Sequence, residues 1–258
     1  MSNVVNRRLG ILQYQDGNVS GENTFIYKIL PQILQNKEQP ILFDVGLNEG
    51  RYSKKLLSTF PTSRIYGFEP RAATLGRAKA RLAAGADIVL EPMAVSDADG
   101  EIEIYDYADK DGSSHVSPYK EVLTEQHHAI DTVSYRVPCV SLDRYCIDHG
   151  VVEIDFIKID TEGHEISVLR GCSKLLQEGR IGVVQFEFNE MNVISRTFLR
   201  DFYTALEDFV FYRLRSDGLI PLGKCDAKNE IIKFQNIIAI SPMFTGRENT
   251  FVIENPWR

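Results

Sequence analysis

Short apolar runs alternate with stretches of helical periodicity along most of the chain. Ile41-Leu42-Phe43-Asp44-Val45-Gly46 predicts a buried strand ending in turn residues, and Gly50 to Thr59 a helix after it. Arg64 to Glu69 (RIYGFE) reads as a second strand closed by Pro70. Arg71 to Ala84, rich in Ala, Arg and Leu, reads as a second helix, and Asp87 to Val95 as a third strand. Further strands are expected at Phe156 to Asp160, Val183 to Phe188, Phe211 to Arg215 and Gln235 to Ile240. Helices are expected over His164 to Leu176 and Thr197 to Phe209. An amphipathic helix over Glu22 to Leu34, starting at Ser20 or Gly21, precedes the first strand. This rhythm predicts an α/β fold, a doubly wound and mostly parallel sheet covered on both faces, whose strands need near-continuous apolar runs.

One region departs from the rhythm. Glu101 to Tyr107 (EIEIYDY) and Thr132 to Cys139 (TVSYRVPC) alternate with period two, as a β insertion with one wet face would. Between them, residues 109–131 are polar and contain Gly112-Ser113-Ser114 and His127-His128. A connection of that length reads either as a lid or binding loop or as a plain surface excursion. With no internal repeat and no Gly/Ser linker, the expected organisation is an N-terminal extension and helix over 1–39 and one domain over 40–258.

Composition narrows the function. A chain of 258 residues, 43% of them hydrophobic, can bury a core without disulfides or metal. The net charge of −7 and the lack of a Lys/Arg cluster beyond pairs such as Lys54-Lys55 argue against a nucleic-acid partner. Cys139, Cys146, Cys172 and Cys225 form no CxxC pair and no zinc spacing. The first residues have no apolar signal-like core, and no apolar run is long enough to span a membrane. A cytoplasmic setting is expected, and the oligomeric state is left open.

Candidate chemistry collects at strand ends, where open α/β sheets bind ligands. In FDVGLNEGRYS (Phe43 to Ser53) the candidates are Asp44, Gly46, Asn48, Gly50, Tyr52 and Ser53. The glycines read GxxxG rather than GxGxxG, with an acid beside them. That acid would repel a pyrophosphate and suits the ammonium and sulfonium of S-adenosylmethionine. Glu69, followed by Pro70, stands about where an acid binds a ribose diol in such sheets. Ala94, Val95 and Ser96, after Met93, could sandwich and edge an adenine. In DFIKIDTEGHEISVLRG (Asp155 to Gly171), Asp160, Glu162 and His164 crowd a helix start and offer a general base or a charge facing a sulfonium. Helix capping by Asp160 or Thr161 is the plainer alternative. Glu187 to Glu190 (EFNE) faces the same rim and would orient a substrate, hold a divalent cation with Asp160, or simply be solvated. No metal ligand is assigned.

Two blocks resemble the FkbM family of methyltransferases: ILFDVGLNEGRYS, and the long run VSLDRYCIDHGVVEIDFIKIDTEGHEISVLRG. FEP and AVSDADG also match the family's style, and the resemblance spans about Glu22 to Ile240. It implies a Rossmann-like methyltransferase sheet of seven strands, the last antiparallel. It implies S-adenosylmethionine as cofactor, with Asp44, Gly46, Asn48 and Gly50 at its methionine end, Glu69 on the ribose, and Asp160 and Glu162 at the reacting face. The implied reaction is O-methylation of a hydroxyl on a sugar, glycan or natural product, so the expected partner is a small-molecule or glycan acceptor. Leu47 stands where the family usually has Ala, and Arg51 where a neutral residue is expected. Two alternatives compete. A nicotinamide-dependent sugar oxidoreductase lacks its third glycine and a Tyr-x-x-x-Lys pair here. A non-catalytic binding module would not need both cofactor acids and the Asp160 block.

Overall fold

The computed structural model describes residues 9–11, 16–82, 85–109 and 112–253. The last two residues of the helix expected over 71–84, two residues of the 109–131 stretch and parts of both termini lie outside them.

In chain order the strands are β1 (Ile41–Val45), β2 (Arg64–Phe68), β3 (Ile88–Glu91), β4 (Ala94–Val95), β5 (Gly100–Tyr107), β6 (Thr132–Val140), β7 (Ile154–Ile159), β8 (Ile181–Phe188), β9 (Val210–Arg215), β10 (Gly218–Pro221) and β11 (Gln235–Ile240). An eight-stranded sheet runs β10-β9-β11-β8-β7-β1-β2-β3, and a small second sheet runs β4-β6-β5. From β3 to β8 the large sheet is parallel, and β11 lies antiparallel between β8 and β9. This is the expected seven-stranded arrangement with its reversed last strand, plus one more. The eighth strand, β10, folds back on β9 just after Ser216-Asp217 and is too short to show an apolar period.

The strand expected over 87–95 is two strands. Pro92 has no N–H to continue the ladder, so β3 stops at Glu91, and Ala94–Val95 leave to pair with Cys139–Val140 in the second sheet. The helix expected over 164–176 is also broken, into α4 (Glu165–Arg170) and α5 (Ser173–Gln177). At the break, Gly171 packs directly on the carbonyl of Ser96. The other helices include α1 (Arg51–Thr59), α2 (Ala72–Arg81), α3 (Leu142–His149), α6 (Met191–Ile194) and α7 (Leu199–Ala205). Ahead of β1, the helical stretch contains a π-turn over Phe25–Ile29, in which the Leu30 N–H reaches back to the Phe25 carbonyl. Pro31 cannot donate to the preceding turn, and the ladder slips by one residue just before it.

Alternation sends successive strand residues to opposite faces. Phe43, Ile157 and Phe186 face one core, closed by α3, α4 and α7, where Phe186 stacks on Phe202 at 4.1 Å. Leu42, Phe156 and Ile238 face the other core, and there the N-terminal stretch buries Phe25, Ile26, Ile29 and Leu30. This anchoring carries Glu22 to the sheet's ligand-binding edge.

At that edge β1 and β7 end in register, Val45 opposite Ile159. The Asp160 N–H donates to the Val45 carbonyl at 2.9 Å. Gly46 has φ +81°, and a β-carbon there would overlap the Asp160 carbonyl oxygen. The loop glycine is therefore required by strand packing itself. Gly46→Ala should cost at least about 2 kcal/mol, from left-handed strain plus overlap. Gly76→Ala, in α2 with open space around it, should instead stabilise by about 0.5–1 kcal/mol. Denaturant midpoints of the two variants check both signs, and equal midpoints would contradict the packing account.

Candidate active site

Two adjoining cavities, one smaller and one larger, open at the carboxyl ends of the parallel strands. Gly46, Asn48, Ser113, Ser114 and Asp160 form the wall they share. Phe68, Glu69 and Pro70 at the end of β2, with Met93, Ala94 and Val95, line one side of the smaller cavity. The β insertion closes it from above with Ile104, Val116 and Pro118. Glu22, Tyr52, Lys55, Lys158 and Glu187 line the larger cavity.

The loop after β1 is held from below. Asp44 is fully buried and accepts a hydrogen bond from the Ser53 hydroxyl at 2.6 Å, while its Oδ1 has no partner. Burial pushes its carboxyl above the usual range against the pull of Lys158. Asn48 takes the left-handed turn conformation at φ +51°, and its N–H donates to Glu69 at 3.0 Å. The other Glu69 oxygen accepts from the Arg71 N–H at 2.8 Å. Burial still dominates, and the Glu69 carboxyl sits at about 7. Each carboxylate oxygen can accept a second bond, so Glu69 retains capacity for a pair of hydroxyls.

The end of β7 concentrates charge. The Lys158 ammonium is buried and meets Asp160 at 2.6 Å, 5.0 Å above the Tyr52 ring. Burial alone would lower its pKa, but Asp160, Asp44, Glu22 and Glu187 together carry it above the lysine range. Burial raises the Glu22 and Glu187 carboxyls, with Asp160 adding repulsion to each. Among the described residues, no group of three or more His, Cys, Asp or Glu side chains is placed to hold a metal ion.

The turn that follows is strained and buttressed. Glu162 has φ +53°, a conformation costing about 1–2 kcal/mol for such a residue. Glu165 compensates, its buried Oε1 accepting from the Thr161 N–H, the Thr161 hydroxyl and the Gly163 N–H at 3.0–3.2 Å. Burial raises the Glu162 carboxyl, whose Oε2 stands 3.8 Å from His127 Nε2. His164 is buried between the Ser96 hydroxyl at 3.0 Å and the Tyr119 hydroxyl at 3.4 Å. Burial lowers its pKa to about 4, so the ring is neutral at pH 7.

The sequence candidates thus fall into two groups. Gly46, Asn48, Glu69, Pro70, Ala94, Val95, Asp160, Glu162 and His164 line the smaller cavity, and Tyr52 lines the larger. Asp44, Gly50, Ser53 and Ser96 stand behind these walls and support them: Gly50 packs on Leu82 and Ala78, and Ser96 on His164. Sequence reasoning missed Lys158, Glu165, Glu22 and the roof residues Ser113, Ser114, Val116 and Pro118. A lysine in the middle of an otherwise apolar strand, FIKID, was a signal for the first, and the polar 109–131 connection, which left a binding loop open as one of two readings, was the signal for the roof.

Glu165 yields a pH prediction. Its carboxyl is raised to about 7 in the fold, so the native state binds the proton more tightly than the unfolded chain. The associated stability is complete below about pH 4.5 and is lost as pH rises through 7, on the order of 3 kcal/mol. Glu165→Gln keeps the acceptor oxygen and removes the titration. The variant should therefore gain on the parent protein between pH 5 and pH 8, read as the difference in urea midpoints. His164 titrates alike in both and cancels. A difference that does not change with pH would refute the assignment.

A methyltransferase FkbM domain model matches residues 44–211. The chain is 25% identical over 164 residues to the 2-O-methyltransferase NoeI of Sinorhizobium fredii, covering 61% of this chain and 68% of that protein. It is 27% identical over 210 residues to the hexuronic acid methyltransferase AglP of Haloferax volcanii, covering 78% and 80%. The solved N-methyltransferase NodS of Bradyrhizobium japonicum is similar at 10% identity and a TM-score of 0.43, over 87% of this chain and 96% of that one. The matched span takes in the end of β1, all of β2, β3, β7 and β8, the insertion and the Asp160 turn, and the chain belongs to the FkbM methyltransferase family.

Proposed function

We propose that this methyltransferase uses S-adenosylmethionine to methylate a hydroxyl oxygen of a sugar or glycan. The observation that carries the reading is Asp160, which lines both cavities at their junction and is paired with a buried ammonium. The smaller cavity suits an adenosine: an apolar slot for the base, and Glu69 for the ribose diol. The larger one, with Glu22, Asp160 and Glu187, suits a cationic methionine end and a hydroxylated acceptor beyond it. The sugar is inferred from the named activities of the two relatives, a 2-O-methyltransferase and a hexuronic acid methyltransferase. A cytoplasmic setting accords with four free cysteines. Family membership leaves the oxidoreductase alternative without support.

When bound, the cofactor supplies a sulfonium methyl that the acceptor oxygen attacks in line, forming C–O as C–S breaks. The protein's tasks are then alignment, water exclusion and removal of the hydroxyl proton. In this reading Asp160, fixed by Lys158, orients the reacting groups. Asp160, at the junction of the two cavities, is also the carboxylate placed to take the proton. His164, with both nitrogens engaged, positions Ser96 and Tyr119.

Calorimetric titration should detect binding of S-adenosylmethionine and none of NAD. Glu69→Ala should weaken that binding at least about tenfold through lost charged hydrogen bonds. Asp160→Asn should weaken cofactor binding only a few-fold, since Glu22 and Glu187 still line the cavity, but lower transfer of labelled methyl to a panel of mono- and oligosaccharides about 100-fold. NAD binding would end the cofactor reading, and full transfer by Asp160→Asn would end the role given to that residue.

A further inference from the structure

We propose that the β insertion supplies the second face of the adenosine site, and that Asp106 is the positioning residue that holds this roof in place. The inference rests on S-adenosylmethionine being the cofactor and assigns residues to it that the strand ends alone do not provide. The smaller cavity takes its apolar lining from more than one segment. Met93, Ala94 and Val95 come from the strand end, and Ile104, Val116 and Pro118 from the insertion. A flat base leaves water only when both its faces are covered, and Ile104, Val116 and Pro118 are the apolar cover that the insertion provides. Ser113 and Ser114, which border both cavities, would then lie over the middle of a ligand running from Glu69 to Asp160.

The roof is built rather than draped. Asp106, fully buried on β5, accepts from the backbone N–H of Gly112 at 2.9 Å and of Ser113 at 3.3 Å. The same oxygen lies 3.6 Å from Nε of Arg71, whose guanidinium packs 3.4 Å from the centre of the Tyr135 ring. Arg71 in turn gives its N–H to Glu69, so the roof and the proposed ribose carboxylate share one support. Arg77 holds the Gly112 carbonyl from α2. Further along, Ser117 exchanges backbone bonds with Tyr105, and its hydroxyl donates to the Glu162 carbonyl at 2.8 Å. A segment ordered in advance costs little further ordering when a ligand binds. Release of the anchor should therefore appear as lost affinity, chiefly as faster dissociation.

The test uses the full chain and two probes, S-adenosylmethionine and 5′-methylthioadenosine, which keeps the adenosine but lacks the methionine end. Calorimetry gives affinity and stopped-flow gives dissociation rates. Asp106→Ala should weaken both probes about tenfold or more, and Asp106→Asn, which keeps an acceptor oxygen, should restore most of the affinity. Val116→Ser, remote from the anchor, should weaken both probes several-fold by removing apolar contact; it keeps the proposal testable if Asp106→Ala fails to fold. Wild-type affinity for both probes in Val116→Ser and in a folded Asp106 variant overturns the roof and leaves the cofactor reading intact. Weakened binding of S-adenosylmethionine alone also overturns it, since the roof would then act on the methionine end. If the wild-type protein binds neither probe, the cofactor reading fails and this inference fails with it.

Discussion

Everything at the ligand edge depends on two backbones touching where β1 and β7 end. Parallel pairing brings Val45 opposite Ile159, and the next residues must then diverge without clashing. Gly46 yields the space that the Asp160 carbonyl fills, while the Asp160 N–H still completes the ladder to Val45. That contact fixes the Asp160 carboxylate at the junction of the two cavities and starts the turn that carries Asn48 toward Glu69. A side chain at position 46 would push the two strand ends apart and move both features together. The glycine that family motifs place beside a ligand is here first a demand of the sheet.

Charge is the second constraint. Lys158 is enclosed by Asp44, Asp160, Glu22 and Glu187, and one ammonium does not satisfy four carboxyls. Their response differs with burial and contact. Asp160 holds the direct pair at 2.6 Å, while Asp44, Glu22 and Glu187 are pushed toward the neutral form. Isolated buried charges are expensive, and such a cluster lowers its cost by taking up protons or by gaining positive charge. A ligand carrying an ammonium and a sulfonium would supply that charge where the carboxyls converge. An anionic ligand would raise the cost further.

The framework was legible in the sequence because each central strand is buried on both faces and so reads as an unbroken apolar run. The loop acids were legible for a similar reason: a charge at the end of such a run has few reasons to be there. What escaped depended on contacts between distant segments. The strand over 87–95 was read through Pro92 because its apolar residues continue, although the backbone donor does not. Glu165 was given no role, because its carboxylate braces a strained turn by bonds visible only in three dimensions. Residues 112–118 had no periodicity to read, since their role comes from hydrogen bonds to Asp106, Arg77 and Glu162 rather than from a repeating face.

The two parts of the rim have different origins in the chain, and this bears on how acceptor choice would vary under the proposed function. Gly46, Glu69 and Asp160 directly follow strands of the sheet, where a shift of one residue would turn every core side chain to the wrong face. They cannot drift without unfolding the domain. Glu22 comes instead from the N-terminal helical stretch, outside the span 44–211 that the family model matches. It is held at the larger cavity by the packing of Phe25, Ile26 and their neighbours into the second core and by a hydrogen bond from the Gln185 amide. Such a stretch can change its polar face while keeping its apolar one. Under the proposed function the wall set by the sheet is thus fixed with the fold, and the larger cavity can change where the N-terminal stretch borders it without disturbing the sheet.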